Sequence, residues 1–558
     1  MKYWRINLIF LFVLLFEAII LTRLVSLQVR NQDFYKALAK GQQKIVTPTI
    51  GERGEIFFKN GEPIAINKTG KYVFLCPKEI KEKEKTAKIL SQILNLDFNW
   101  LLEKTKKPSL FEPIKHRLST KEQNQLAEKN LPGVYLQEEV FRYYPQKNLT
   151  SHITGFLDRN GKGQYGIEGY YDEILKGKEV ISEKEIEPTG FFTFPDFKKK
   201  ARGRDIFLTI DPNIQFMAGK LLSDFQEKLD FEGGEILVLN PNTGEILALY
   251  ALPNFDPNFY FKVENPGIFQ NALLQKIFEP GSVFKPIVMA AALNERKIDP
   301  KTSYVDTGVV QIGGWKIYNY GQRVWGQKTM TEVLEKSINT GAIFVEQKIG
   351  HETFLKYIEK FGFFEKTGID LQGEIFSENK ELKKGYEVNF ATASFGQGIE
   401  ITPVQLARAF CAIANGGKLI RPHIVDKIFE NGKEVKFKSH FKEREVISKN
   451  TASQLTAMLV SVVENGFGKP AKIKGYFIAG KTGTAQVSWP ALGIKKPGYS
   501  PKTIQSFIGF FPAFDPKFLI LVKLNNPKTK TAEYSAAPLF KELSEYIINY
   551  YQIPPDYE

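Results

Sequence analysis

Ser282 and Lys285 lie three positions apart in EPGSVFKP, directly before the apolar run IVMAAAL. On a helix that spacing puts both on one face, so the amine can reach the hydroxyl. Pro280-Gly281 breaks the chain just ahead of them, which places the pair at a helix N-terminus whose backbone N–H groups can stabilise a developing oxyanion. The chemistry on offer is a serine nucleophile beside its candidate base. Spacing alone does not discriminate, because Ser377/Lys380 and Ser439/Lys442 repeat it in polar stretches that read as solvated surface. The apolar helical context singles out Ser282. Lys-Thr-Gly occurs at 68–70, 366–368 and 481–483, and only the last lies in a strand pattern, GYFIAGKTGTAQV. Its small neighbours Ala479, Gly480, Gly483 and Ala485 let a ligand backbone approach. Ser-x-Asn recurs at 337–339, 377–379 and 448–450. Ser337-Ile338-Asn339 falls on a turn between TEVLEK and TGAIFVEQKIG, where Ser or Asn would equally serve as an N-cap.

These residues need a scaffold, and the pattern after residue 205 supplies one. Asn213 to Leu229 spaces Ile214, Met217, Leu221, Leu222 and Phe225 as a helix. GEILVLNPNTGEILALYAL reads as two strands about a Pro-Asn-Thr-Gly turn. Helical stretches are expected through about Ile413, strands at Tyr476 to Val487, Ile504 to Phe510 and Phe518 to Leu524, and a last helix from Ala537 to Tyr551. Strands at both ends with helices between them indicate an α+β or three-layer domain. The stretch FPDFKKKARGRD at 194–205 is the best boundary, and the polar, Lys/Glu-rich chain before it reads as one elongated module.

Ile6 to Leu27 is the densest apolar run, long enough to span a ~30 Å hydrocarbon core. No small-x-small cleavage site follows it, so an uncleaved anchor is expected. Lys2 and Arg5 ahead of it predict a cytoplasmic tail at 1–5 with everything after Arg30 outside the membrane. Glu17 lies near mid-span, where it either faces a second membrane protein or is tolerated by snorkelling or protonation. With 558 residues, roughly 150 per domain implies about three to four domains. Hydrophobic residues at 43% and charged residues at 25% exclude disorder and a mostly membrane-embedded chain. Cys76 and Cys411 are the only cysteines, too few for a disulfide scaffold or a Cys-rich zinc module. The net charge of +14 suits anionic membranes, nucleic acid or an acidic polymer, and the external location disfavours nucleic acid.

In this order, Ser282-x-x-Lys285, Ser337-x-Asn339 and Lys481-Thr482-Gly483 resemble the three active-site motifs of penicillin-binding proteins and serine β-lactamases. The resemblance extends through GRDIFLTID at 203–211, the hairpin from Gly233, SFGQGIEITPVQLARAF, AGKTGTAQ, SFIGFFP and AAPLFKEL, all similar to class B penicillin-binding proteins. ERGEIFFKNGEPIA from Glu52, FRYYP, HITGF and GIEGYYDEILKG resemble the pedestal of that class. Phe58-Lys59 departs from the family's usual Asp-Arg, and Ile338 from its commoner small or polar middle residue. WKIYNYGQRVWG, without the Cys and Gly-His-Gly segment of elongation-type members, looks more like the division type, often called FtsI.

The resemblance implies an α+β chain: a transmembrane anchor at 6–27, an elongated, mainly-β pedestal at 28–200, a connecting segment at 201–230, and at 231–551 a transpeptidase domain whose antiparallel sheet is flanked by helices. It implies a peptidoglycan D,D-transpeptidase of the cell membrane, working at division and acylated by β-lactams. Ser282 would be the nucleophile, Lys285 its base, and Ser337 the proton relay. Asn339 would bind the donor peptide, and Lys481, Thr482, Gly483 and Thr484 would surround its carboxylate. The backbone N–H groups of Ser282 and Thr484 would form the oxyanion hole. Lys285 must be neutral to accept a proton, although an ordinary lysine titrates near ~10.4, so burial and Lys481 must favour its neutral form. No metal or cofactor is called for. The implied partners are stem peptides and, through the membrane helix, a polytopic glycosyltransferase and other division proteins. The alternatives are an elongation-type transpeptidase, a membrane-anchored β-lactamase or β-lactam sensor, and a catalytically idle division scaffold.

Overall fold

The computed structural model describes residues 3–30, 32, 44–185, 201–435 and 443–558. It divides into two units, 1–54 with 176–204 and 55–175 with 205–558. Ser439/Lys442 and most of the boundary stretch 194–205 lie outside the described residues.

In the first unit Trp4–Val25 is one α-helix, continued by a π-helical turn at Ser26–Arg30. It is apolar on all sides and buries no residue within the chain. The apolar span Trp4–Val29 has 26 residues, about 39 Å at 1.5 Å per residue and so longer than a hydrocarbon core. Among the described residues it is the one helix long and apolar enough to cross a membrane. The unit also holds an antiparallel ribbon of Lys44–Ile50 with Glu179–Glu185.

The second unit begins with residues 55–175. Pro63–Leu75 pairs antiparallel with Val134–Tyr143 over ten residue pairs, and Glu112–Lys115 joins on its other edge. Three helices, Lys83–Leu94, Phe98–Lys106 and Thr120–Lys129, complete this small core by setting Leu90, Leu94, Leu101 and Leu126 against Val73 and Leu75. The Asp97 side chain caps the second helix, and Ser119 with Glu122 forms a capping box on the third. The pedestal is thus mixed α and β, a correction to the mainly-β expectation. Its Lys/Glu-rich composition hid narrow apolar stripes such as Ala87, Leu90 and Leu94, each only three or four residues apart.

Residues 201–230 do more than connect. Asp205–Leu208 lies parallel to Ile56–Phe57 and antiparallel to Val425–Glu430, so one sheet runs from the pedestal into the larger domain. Pro212–Leu229 is a layer of that domain. It packs with Ala536–Tyr551 on one face of a five-stranded antiparallel sheet ordered Ile246–Leu252, Gly233–Leu239, Phe518–Asn525, Tyr499–Phe511, Ala479–Ser488. Successive residues of a strand point to opposite faces. Ile236 and Val238 accordingly meet these two helices, while Leu237 and Leu239 join the core that holds Lys285–Asn294, Pro403–Ala414 and Lys449–Asn465. Covered on both faces, the strands read as unbroken apolar runs.

The helical stretches expected through about Ile413 are interrupted by strands at 303–329, a correction to that expectation. There Ser303–Asp306 pairs with Gly326–Thr329, and Val309–Ile312 with Trp315–Tyr318. Gly313 and Gly314, both with positive φ, turn the inner hairpin. Pedestal and large domain share one apolar core, where Phe156 stacks on Tyr260 at 4.3 Å, and they also meet through polar contacts. Tyr144 and Asn258 exchange two hydrogen bonds of 3.0 and 2.9 Å, His152 Nε2 donates to the Ile268 carbonyl at 2.9 Å, and Tyr171 donates to Asp370 at 3.1 Å. At the Phe58-Lys59 departure, Phe58 is buried and Lys59 Nζ lies 3.3 Å from Glu245. Both cysteines are buried and free.

Candidate active site

Gly281–Phe284 forms a 3-10 turn that runs straight into the Lys285–Asn294 helix, so Ser282 and Lys285 face the same way as the motif spacing requires. Gly281 has φ +62°, and its N–H donates to the Gly396 carbonyl at 2.9 Å. A Cβ on Gly396 would stand 2.1 Å from the Gly281 carbonyl oxygen, so glycine is needed there for the backbones to meet. Ser337 follows the Met330–Glu335 helix and takes φ +53°, left-handed geometry that is costly for a serine. Asn339 opens the next helix, whose N-cap is Ile338 without a side-chain bond, so neither Ser337 nor Asn339 is used as a cap.

These elements converge on a cleft of ≈ 910 Å³ whose lining includes Ser282, Ser337, Asn339, Thr482 and Thr484. Lys285 and Lys481 lie beneath its floor, 1% and 0% exposed. Lys285 Nζ is 3.1 Å from Ser282 Oγ, 2.8 Å from Asn339 Oδ1, 2.6 Å from the Ser337 carbonyl and 3.3 Å from Ser337 Oγ. Lys481 Nζ reaches Ser337 Oγ at 3.0 Å from the other side, and the Thr482 carbonyl at 3.0 Å. Ser337 Oγ is therefore shared by two amines. Among the described residues no carboxylate pairs with either. Burial, and then the charge of Lys481, drives Lys285 well below the ordinary lysine value. Burial alone brings Lys481 down to about 7.

Lys481–Thr484 sits on the edge strand of the five-stranded sheet, paired with Ser506 and its neighbours. A Cβ on Gly483 would come within 2.7 Å of Ser506 Oγ and 2.8 Å of Val283 Cγ1, so this glycine lets the strand close on the Ser282 turn. Thr484 Oγ1 accepts the Ala532 N–H at 3.1 Å, which leaves its hydroxyl proton available to a ligand. The other motif copies stand elsewhere. Lys68-Thr69-Gly70 is mid-strand in the pedestal, Thr367 is buried and donates to Glu374, and Ser448 caps a helix.

Sequence reasoning missed a buried network under Asn339. Asp306 accepts from Thr340 Oγ1 at 2.6 Å, from Asn319 Nδ2 at 3.0 Å and from the Trp325 N–H at 2.8 Å. Asn319 Oδ1 in turn accepts the backbone N–H groups of Asn339 and Thr340. It satisfies the two free donors that begin that helix. The alternation VVQI and WKIY about Gly313-Gly314 could have revealed the hairpin that carries Asn319; nothing local ties Asp306 to it.

Residues 234–545, more than half of the chain, match the penicillin-binding protein transpeptidase domain, and residues 48–208 match the penicillin-binding protein dimerisation domain. The chain is 35% identical to stage V sporulation protein D of Bacillus subtilis over 93% of its own length and 81% of that protein. It is 31% identical to a peptidoglycan D,D-transpeptidase FtsI homolog of Mesostigma viride, over 99% and 96%. Among solved structures, penicillin-binding protein 3 of Mycobacterium tuberculosis in complex with aztreonam shares the fold at TM-score 0.70 and 24% identity, over 92% of this chain and 98% of that one. With its three motifs gathered in one cleft and both family domains matched, the chain belongs to the class B penicillin-binding proteins.

Proposed function

We propose that the protein is a peptidoglycan D,D-transpeptidase that works through a Ser282 acyl-enzyme and is inactivated by β-lactams. The observation that carries this reading is the buried, carboxylate-free Lys285 amine 3.1 Å from Ser282 Oγ. Neutral Lys285 takes the Ser282 proton as Oγ attacks the carbonyl between the two terminal D-alanines. Lys481 and the Thr484 hydroxyl hold the terminal carboxylate, and Asn339 the donor amide. As the C–N bond breaks, the proton passes through Ser337 to the leaving amine and D-alanine departs. A side-chain amine of a second strand then attacks the ester carbonyl, and Ser282 recovers a proton as the C–O bond breaks. Two steps of moderate barrier replace one difficult transfer. A β-lactam enters the first step because its strained amide and adjacent carboxylate imitate the donor terminus.

The same reading makes 6–27, inside the helical span Trp4–Val29, a single-pass anchor, with residues 1–5 cytoplasmic and the chain after the anchor outside, and gives Glu17 a polytopic glycosyltransferase as its neighbour. A role at division follows from the likeness to FtsI-named relatives. Fluorescent penicillin with mass spectrometry tests the core claim. The wild type should carry a stable adduct on the peptide containing Ser282, and Ser282→Ala should carry none. Labelling of that variant at wild-type level would remove Ser282 as nucleophile, and rapid release of hydrolysed drug would point to a β-lactamase.

A further inference from the structure

Glu279 stands three positions before Ser282 and has no part in the steps above. Its Oε2 accepts the Tyr499 hydroxyl at 3.0 Å, and the Gly398 N–H also bears on the carboxylate. Tyr499 opens the Tyr499–Phe511 strand and pairs with Ser488, the last residue of the strand that carries Lys481–Thr484. Gly398 belongs to the loop whose Gly396 carbonyl accepts the Gly281 N–H, and whose Ile401 exchanges two backbone hydrogen bonds with Phe278. One carboxylate thus links the nucleophile turn, the 396–401 loop and the outer end of the motif hairpin. Burial, with Glu400 nearby, pushes this carboxyl up to about 7. Burial likewise pushes the Tyr499 hydroxyl upward, so it stays a donor across the working range.

The turn and the strand otherwise touch through close packing, with no direct hydrogen bond between them among the described residues: a Cβ at Gly281 would stand 3.0 Å from Ala485 Cβ, and one at Gly483 would stand 2.8 Å from Val283 Cγ1 and 3.1 Å from the Pro280 carbonyl oxygen. Such contacts limit how near the two elements come but resist sliding poorly. A directional bond at the outer end supplies that restraint. The sliding coordinate matters because the two backbone N–H groups assigned to the oxyanion lie one on each element, Ser282 on the turn and Thr484 on the strand.

We infer that Glu279 and Tyr499 are positioning residues that clamp the Ser282 turn to the Lys481–Thr484 strand and so set the spacing of the two oxyanion donors. The inference rests on the reading of Ser282 as nucleophile. The test uses the full chain in detergent with benzylpenicillin, separating the dissociation constant of the pre-covalent complex from the acylation rate constant, with melting temperatures recorded alongside. Tyr499→Phe and Glu279→Ala should acylate about 10- to 100-fold more slowly, the range expected for misplaced reacting groups, with the dissociation constant changed less than about threefold. Glu279→Gln keeps an acceptor for the tyrosine and should restore most of the rate lost in Glu279→Ala. Wild-type acylation in Tyr499→Phe and Glu279→Ala overturns the clamp. So does a rate loss that Glu279→Gln shares in full, or one that tracks a fall in melting temperature across all three variants. The wild-type adduct separates the two claims: if it is not on Ser282, the catalytic reading fails, whereas an adduct on Ser282 with unaffected variants defeats only the clamp.

Discussion

The two buried amines define the pH behaviour of the site. On the proposed mechanism, neutral Lys285 accepts the serine proton, so acylation should weaken as falling pH protonates it. On the same mechanism, cationic Lys481 attracts the donor carboxylate. Burial brings it to about 7, so that attraction is lost as pH rises through this value. The second-order rate constant for penicillin acylation, which reports the free enzyme, should therefore fall above about pH 7, several units earlier than an ordinary lysine would dictate. Lys481→Arg keeps its charge throughout, and its alkaline limb should flatten. An unchanged limb in that variant would assign the titration to another group. Gly483→Ala tests the opposite kind of effect, steric rather than electrostatic. Its methyl would meet Ser506 and Val283 below 3 Å, and acylation should drop by up to about 10²-fold through displacement of the turn, as a penicillin time course would register.

Among the elements, the 303–329 double hairpin has the clearest load to bear. Its Asp306 and Asn319 fix the start of the Asn339–Ile349 helix, and through it the Asn339 side chain that touches Lys285. Asp306→Ala strands the Gly308 and Trp325 N–H groups and leaves the Thr340 hydroxyl and the Asn319 amide with only their weaker acceptors, Asn319 Oδ1 at 3.2 Å and the Arg323 carbonyl at 3.1 Å. Buried donors left without partners cost about 1–3 kcal/mol each before relaxation, so a loss of roughly 2–5 kcal/mol is expected from urea unfolding. Acylation should fall with it, because Asn339 and Ser337 then lose their support. Stability within about 0.5 kcal/mol of wild type would show that the network carries no load.

Across the whole molecule, residues 55–175 and 205–558 form one packed unit, joined by a shared sheet and by His152. Burial lowers His152 from 6.5 to about 4, while its ring donates to the Ile268 carbonyl. Between those two values the unfolded chain binds the proton and the folded one does not. Stability contributed by neutral His152 is thus complete above about 6.5 and declines as pH falls toward 4. The loss is on the order of a few kcal/mol. Melting temperatures measured from pH 7.5 to 4.5 should show this decline, and His152→Gln, which can donate without titrating, should show a shallower one. Equal slopes would place the acid sensitivity elsewhere.

Motif chemistry and the strands of the large domain were legible because both are written in local spacing. Ser282/Lys285 needs only one helical turn, and the strands Gly233–Leu239 and Phe518–Asn525 announce themselves as apolar runs. The pedestal helices were obscured by charged neighbours, and the Asp306–Asn319–Thr340 network joins residues too far apart in the chain for any pattern to link them. By itself the sequence determined which groups could react, in what order along the chain, and on which kinds of element. Only the tertiary structure decided which copy of the motif has a buried amine. Ser377/Lys380 has the same spacing as Ser282/Lys285, yet Lys380 is 80% exposed beside Glu378, whereas Lys285 is sealed under the cleft near a second cation. Spacing is a property of the chain, but the loss of hydration that makes an amine a base is a property of everything folded around it.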